Sequence, residues 1–230
     1  MQINRVTVTG ADNSVSYEQL IEVSQEYPFV EWGILVSSNP PRPRFPSAFW
    51  VKEMMDNRTP EMQFSCHVCG RWVREICKQG LVAEGLRNMM DLFQRVQLNF
   101  HAIVHEINED KFLEALYQYQ AKQFIFQLDD VNNAILNIAR GNGINAVPLF
   151  DTSGGAGVLP EEWPEPDGYC GYAGGLSPDN LDEQLDLIEK AVGEGTIWID
   201  AETHLRSDDD MAFDLEKVRS FLEKAKKYIE

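Results

Sequence analysis

The sequence predicts a single (β/α)8 barrel over residues 1–230, on three observations. Strand-like and helix-like stretches alternate eight times along 230 residues, a length at which α/β barrels commonly form one domain. Several strands alternate polar with apolar residues, as in Thr7/Thr9, Ser65/His67, Gln97/Asn99 and Gln123/Gln127. A small closed barrel can turn such residues inward, whereas strands covered on both faces of an open parallel sheet read as continuously apolar. Finally, no Gly-x-Gly-x-x-Gly follows the first strand, which argues against a doubly wound nucleotide-binding sheet.

The elements follow in order. Arg5–Gly10 is a β-branched run and the first strand. Ser16 with Gln19 has capping-box form and opens a helix carrying Leu20, Ile21 and Val23. Phe29–Ser37 is the second strand. The Pro- and Arg-rich stretch Asn39–Ser47 cannot be helical, and Ala48–Asp56 is the next helix. Gln63–Cys69 is the third strand, followed by helices over Arg71–Lys78 and Leu86–Phe93. Arg95–Phe100 is the fourth strand and Asp110–Gln120 its amphipathic helix. Gln123–Leu128 is the fifth strand, and a helix over Val131–Arg140 stops at Gly141 and Gly143. Ala146–Phe150 and Tyr169–Ala173 are the sixth and seventh strands. Ser177 caps the next helix, with Pro178 in its first turn. Thr196–Asp200 is the eighth strand. Leu215–Ile229 is the last helix, with Leu215, Val218, Phe221, Leu222 and Ala225 at helical spacing.

Composition narrows the partners. Hydrophobic residues make up 43%, enough for a sizeable core, and 37 acidic against 20 basic residues give a net charge of −17. Such a surface repels nucleic acid and anionic membrane. No apolar run reaches the ~18 residues of a membrane span, and the start reads as a strand rather than a signal peptide. A cytoplasmic protein with reduced thiols, monomer or homodimer, is expected. Cys66 and Cys69 have CxxC spacing. On a strand, however, residues three apart point to opposite faces, and no second pair completes a zinc site. No metal and no cofactor are expected.

The chemistry gathers between Leu149 and Asn180. Asp151 ends the sixth strand and is followed by Ser153-Gly-Gly-Ala-Gly157; the seventh strand ends in Gly174-Gly175 and opens into a helix. Paired glycines before a helix N-terminus let backbone amides approach an anion. An acid and such a cradle on successive strand ends suggest an enzyme acting on a small phosphorylated metabolite. Trp163 and Pro164 are placed to form part of a lid. His67, on the predicted inward face, is a candidate acid or base. Glu31 is either half of an ion pair with Arg95 or Arg5, or a base. Asp200 and Glu202 share a face of the last strand and can exchange protons or hold a divalent cation. Gln97 and Gln127 suit a sugar's hydroxyls.

These residues resemble the phosphoribosylanthranilate isomerase family. Val6-Thr-Val-Thr-Gly10 stands where that family has Val-Lys-Ile-Cys-Gly. Gly33-Ile-Leu-Val and Arg44-Phe-Pro-Ser47 are similar to its second strand and loop. Val96-Gln-Leu98, Asp151 with the glycine run, and Ala173-Gly-Gly-Leu-Ser-Pro-Asp-Asn180 follow in the family's order, the last most closely. The resemblance implies an acid/base Amadori rearrangement of a phosphorylated aminoaldose. Asp151 would be the acid, Arg44 would meet a substrate carboxylate, and Gly174, Gly175 and the amides near Ser177 would hold phosphate. Gly155 and, independently of the resemblance, Asp200 are further candidates to lie against the substrate. Three positions depart from the pattern: Thr9 replaces the family's cysteine base, Val158 its glycine-loop lysine, and Asp200 and Glu202 enter the eighth-strand stretch. A threonine hydroxyl is a poor base at pH 7, so His67, Glu31 and Glu202 stand ahead of Thr9. A different lyase, epimerase or hydrolase on the same barrel, metal-assisted at Asp200 and Glu202, and a non-catalytic binder are the alternative readings.

Overall fold

Eight parallel strands, hydrogen-bonded in chain order, close into a barrel. The structure is a computed structural model that describes residues 1–39, 43–99, 107–128 and 133–229. The strands are β1 (Gln2–Thr9), β2 (Val30–Val36), β3 (Gln63–Val68), β4 (Arg95–Leu98), β5 (Gln123–Leu128), β6 (Ala146–Phe150), β7 (Cys170–Tyr172) and β8 (Thr196–Ala201). The helices are α1 (Tyr17–Glu26), α2 (Ala48–Asn57), α3 (Arg71–Gln79), α4 (Glu84–Met90), α5 (Glu109–Tyr117), α6 (Asn133–Gly141), α7 (Leu181–Val192) and α8 (Leu215–Ala225). The expected strand end at Phe100 and helix start at Val131 lie outside the described residues. Among the described residues, no helix is long and apolar enough to cross a membrane.

Local sequence explains several boundaries. The capping box of α1 forms as expected, Ser16 accepting from the Gln19 amide and Gln19 from the Ser16 amide. Ser47 caps α2 through the Trp50 amide. The last helix is shorter than its periodicity suggested. It stops at Ala225 and tightens into a 3-10 turn over Lys226–Tyr228, a common helix ending. Ser177 does not cap α7 directly. It begins a turn, Asn180 is the cap residue, and the two exchange hydrogen bonds from backbone to side chain.

Two separate apolar clusters build the molecule. The larger packs strand residues such as Val8, Ile34, Val96, Phe126 and Ile199 against helix residues such as Leu20, Phe112, Leu185 and Phe221. Each such fully buried side chain contributes about 1.5–3 kcal/mol. Ile3, Val6 and Val8 all join this layer. The odd spacing between Ile3 and Val6 is absorbed where β1 shifts register against β8, between Ile3 and Arg5. The smaller cluster is Ile125, Val147, Leu149, Ala173 and Trp198, one face of β5 to β8, and it fills half of the barrel interior. Gly171 pairs with Trp198, and a Cβ there would come 2.2 Å from the indole. Only glycine leaves the ring its space.

The other half of the interior is polar. Thr7, Glu31, Ser65, His67, Arg95 and Gln97, from β1 to β4, are all buried. At its floor Glu31 accepts hydrogen bonds from Arg95, from Arg5 at 3.0 Å and from Thr7 at 2.9 Å. Arg95 also donates to Gln123 at 2.8 Å and lies 4.7 Å over the Trp198 ring. Burial disfavours the Glu31 charge, but the two guanidinium groups outweigh it and hold its pKa below the ordinary value. The floor is thus an ion-paired plug joined to the apolar half through one cation–π contact.

Candidate active site

The C-terminal strand ends carry the functional groups, as is general for this architecture. A cavity of about 40 Å³ lies there, lined among others by His67, Gln97, Gln127, Asp151, Asp200 and Glu202. Gly155, Gly174, Gly175, Thr203 and His204 complete its rim. Of the residues singled out from the sequence, Glu31, Arg44, Ser177 and Thr9 do not line it.

Asp200 is the most unusual group. It is 5% exposed, and its Oδ1 accepts the Thr9 hydroxyl at 2.7 Å. Burial raises its pKa well above the carboxylate range, and the Glu202, Asp151 and Glu31 charges push the same way against the Thr9 bond. Asp200 therefore carries a proton where a surface aspartate would not. Asp151 sits differently. Its Oδ2 accepts from Gln127 at 2.7 Å, and its Oδ1 accepts from the Ser153 amide at 3.1 Å and hydroxyl at 2.7 Å. Three donors fix its orientation across the mouth from the polar strands.

His67 is held neutral, its pKa lowered to about 3, chiefly by burial. Its Nε2 shares a hydrogen bond with Ser65 Oγ at 2.9 Å. Gly33 makes this crowding possible, since a Cβ there would meet Thr9 Oγ1 at 2.2 Å and the His67 ring at 2.9 Å. Gln97 donates to Asn99 at 3.0 Å, and its buried Oε1 has no hydrogen-bond partner among the described residues. Asn99 also donates to Cys69 Sγ at 3.1 Å. The four cysteines are free, with Cys66, Cys77 and Cys170 buried.

Several expected roles meet a different arrangement. Both carboxylate oxygens of Glu31 are bound at the floor, in a cavity at the opposite end, so it is not brought to the mouth. Arg44 is buried and donates to Glu202 and, at 2.8 Å, to Asp210. Burial opposes its charge, but these partners hold its pKa above the ordinary value. Its two terminal nitrogens are engaged by the chain's own carboxylates. Glu202 turns to Arg44 while Asp200 turns to Thr9, so the two do not form a shared cation site. Among the described residues no group of three His, Cys, Asp or Glu is arranged to hold a metal. Trp163 and Pro164 are clamped rather than loose. The indole donates to Gln184 at 3.0 Å and packs edge-on to Tyr172, whose hydroxyl donates to the Pro164 carbonyl at 2.7 Å.

The segment that covers the mouth is instead the glycine run after β6. Gly154, Gly155 and Gly157 have positive φ, conformations that favour glycine. His204 Nε2 lies 3.0 Å from the Gly157 carbonyl, and Thr203 donates to the Gly155 carbonyl at 3.5 Å. Val158 and Leu159 lie on the glycine pair after β7. A Cβ on Gly175 would approach the Leu159 nitrogen to 2.5 Å, and one on Gly174 the Val158 carbonyl to 3.1 Å. Arg206, which the sequence offers as a cation to offset Asp200 and Glu202, serves other partners. It is fully buried and donates to the Gly10 carbonyl at 2.6 Å, to Asp12 at 2.8 Å and to Asp210 at 2.6 Å. That tie joins the loops after β1 and β8. The sequence signal for that tie is an arginine beside the acidic run Asp208–Asp210.

The barrel matches solved phosphoribosylanthranilate isomerases along nearly its whole length. The TrpF structure from Jonesia denitrificans aligns with a TM-score of 0.64 over 97% of each chain, at 14% identity. Phosphoribosyl anthranilate isomerase from Thermus thermophilus aligns at 0.61 over 97% of this chain and 98% of that one, at 16% identity. A phosphoribosyl anthranilate isomerase in complex with reduced 1-(o-carboxyphenylamino)-1-deoxyribulose 5-phosphate aligns at 0.60 over 97% and 98%, at 15% identity. No family model matches the chain, and no curated protein matches it. The likeness is one of fold, and it falls on the family whose motifs the sequence resembles.

Proposed function

We propose that this chain is an acid/base isomerase that converts an aldosylamine to a 1-amino-1-deoxyketose at the mouth of the barrel. The observation that carries the reading is the pair Asp151 and Asp200, two carboxyl groups in one cavity with unlike surroundings. Pairs of this kind divide acid and base roles. Asp200 is the group that holds a proton, so it takes the part of the acid. With Oδ1 bound to Thr9, its proton is carried on Oδ2. Donation to the furanose ring oxygen opens the ring and leaves an iminium ion. Asp151, fixed by Gln127 and Ser153, removes the C2 proton and gives the enaminol. Protonation at C1 and loss of the hydroxyl proton then yield the ketone, and both carboxyl groups return to their starting states. No atom is gained or lost.

This exchanges the roles that the resemblance implies, in which Asp151 is the acid. The physical reason is the position of Thr9. A threonine cannot supply the base that a cysteine does, but it can hold the neighbouring Asp200 in place, which makes Thr9 a positioning residue. Neutral His67 lines the same cavity and supplies hydrogen bonds rather than charge. The glycine run at 154–157 borders the cavity, and its movement would admit a sugar and then exclude water from the iminium. The reading is tested by incubating N-aryl ribosylamines, with and without a 5-phosphate, with the protein in D2O. Deuterium at C1 of the ketose and the appearance of that ketose by NMR are expected. Absence of both with folded protein removes the reading.

A further inference from the structure

At the end of the barrel opposite the mouth, the floor borders a second cavity of about 280 Å³. That is close to the ~300 Å³ at which small-molecule sites begin. The segments that enter β2, β3 and β4 from this end, residues 27–29, 58–62 and 91–94, are all described. Three guanidinium groups line the cavity, those of Arg5, Arg58 and Arg95, against one carboxylate, Glu31. No other charged side chain lines it among the described residues. In a chain of net charge −17 this is a local excess of positive charge.

Two of these arginines keep donors beyond those that Glu31 takes. Arg95 is 5% exposed; it gives Nε to Gln123 and Nη1 to Glu31, and its Nη2 has no hydrogen-bond partner among the described residues. Arg5 gives Nη1 to Glu31, and its buried Nε likewise has no partner among the described residues. A buried donor left unmet is costly, the more so on a charged group. Arg58 is exposed and donates Nη1 to the Met55 carbonyl at 3.1 Å. Much of the remaining lining is apolar, since Met55, Met62, Phe64 and Phe93 are all buried hydrophobic residues. Guanidinium groups recognise planar oxyanions, and apolar walls beside them suit a carbon body rather than a bare ion.

We infer that the floor cavity binds a small organic carboxylate with an apolar body, its oxygens meeting Arg58 and the unmet donors of Arg5 and Arg95. The site is separate from the chemistry at the mouth and does not depend on the isomerase reading. Ligand and Glu31 share the same guanidinium groups. Binding therefore adds to the charge pairing that holds the floor together, and it stabilises the fold as any ligand of the native state does.

The test is thermal unfolding and calorimetric titration of the full chain at pH 7 and low salt. The probes are benzoate, its neutral amide benzamide, inorganic phosphate and chloride. Benzoate should bind with a millimolar Kd or better and raise Tm by about 3–6 °C at roughly ten times Kd. Benzamide, phosphate and chloride should bind at least about tenfold more weakly, since each lacks either the charge or the apolar body. Arg58→Gln should weaken benzoate roughly threefold or more. Glu31→Gln removes the competing carboxylate, so it should tighten benzoate about tenfold, and benzoate should restore part of the Tm that this variant loses. A charge contact at ~4 Å supports changes of this order. Because Arg58 is exposed, its variant reads the site even where Glu31→Gln fails to fold. Benzoate affinity unchanged in Arg58→Gln, or weakened in Glu31→Gln, overturns the inference. So does absence of benzoate binding at tens of millimolar, or binding of benzamide, phosphate or chloride as tight as that of benzoate.

Discussion

Glu31→Gln separates a structural carboxylate from a catalytic one. Glu31 has 1% side-chain exposure and receives three hydrogen bonds, two of them from guanidinium groups. Glutamine keeps the shape and one acceptor but leaves the Arg95 charge buried without its counter-ion. Breaking a buried pair in this way costs about 3–5 kcal/mol, and in a domain of 150–250 residues each kcal/mol lowers Tm by about 2–4 °C. The expected fall is therefore about 6–20 °C, measured by thermal unfolding between pH 6 and 8. Since the folded pKa of Glu31 is depressed, its contribution is complete above the unfolded value of about 4.3. It is lost as pH falls through the folded pKa, so variant and parent should converge in acid. Turnover per folded molecule at low temperature should stay within about threefold, since Glu31 lies away from the mouth. An unchanged Tm combined with a hundredfold loss of turnover would refute the reasoning and make Glu31 the base.

Gly33→Ala should cost about 1–3 kcal/mol by overpacking, read by urea unfolding, and should lower turnover further by displacing Thr9 from Asp200. Asp200→Asn should stabilise the protein at neutral and alkaline pH. The raised folded pKa of Asp200 gives a contribution that is complete below about 3.9 and lost as pH rises toward the folded value, at about 1.4 kcal/mol per pH unit. Variant and parent should thus match in acid and diverge above it by thermal unfolding; a variant less stable at pH 8 would contradict this. In the native protein one thiol, the half-buried Cys69, should react with a disulfide reagent. Cys66, Cys77 and Cys170 are buried, and burial raises Cys77 to about 12 and Cys170 to about 11, so their reaction should await unfolding.

Much of the fold was legible because it is written in local periodicity. The alternation at Thr7/Thr9 and Ser65/His67 marked inward faces, and the boundaries at Ser16 and Ser47 followed from single side chains capping the next turn. The site was legible only in part. Asp151 could be placed because it ends a strand before a glycine run. Its partner could not, since the Thr9–Asp200 bond joins residues 191 apart, and the protonation of Asp200 comes from burial that only closure of the barrel creates. Arg44 was misleading for the same reason. Alone it reads as a cation awaiting a substrate, but Glu202, 158 residues later, already satisfies it. Trp163 and Pro164 looked like a lid by composition, yet Gln184 and Tyr172 hold them from other elements.

The most direct test is the pH dependence of C2 hydrogen exchange in the parent, Asp151→Asn, Asp200→Asn and Thr9→Val. Each aspartate variant should lose at least about a hundredfold, the usual scale of a proton-transfer group. The parent's rate should fall on the alkaline side as Asp200 loses its proton. Thr9→Val removes the bond that favours the Asp200 charge, so that alkaline limb should move to higher pH. Exchange within threefold of the parent in Asp200→Asn, or an alkaline limb unmoved in Thr9→Val, would contradict the assignment of Asp200 as the acid.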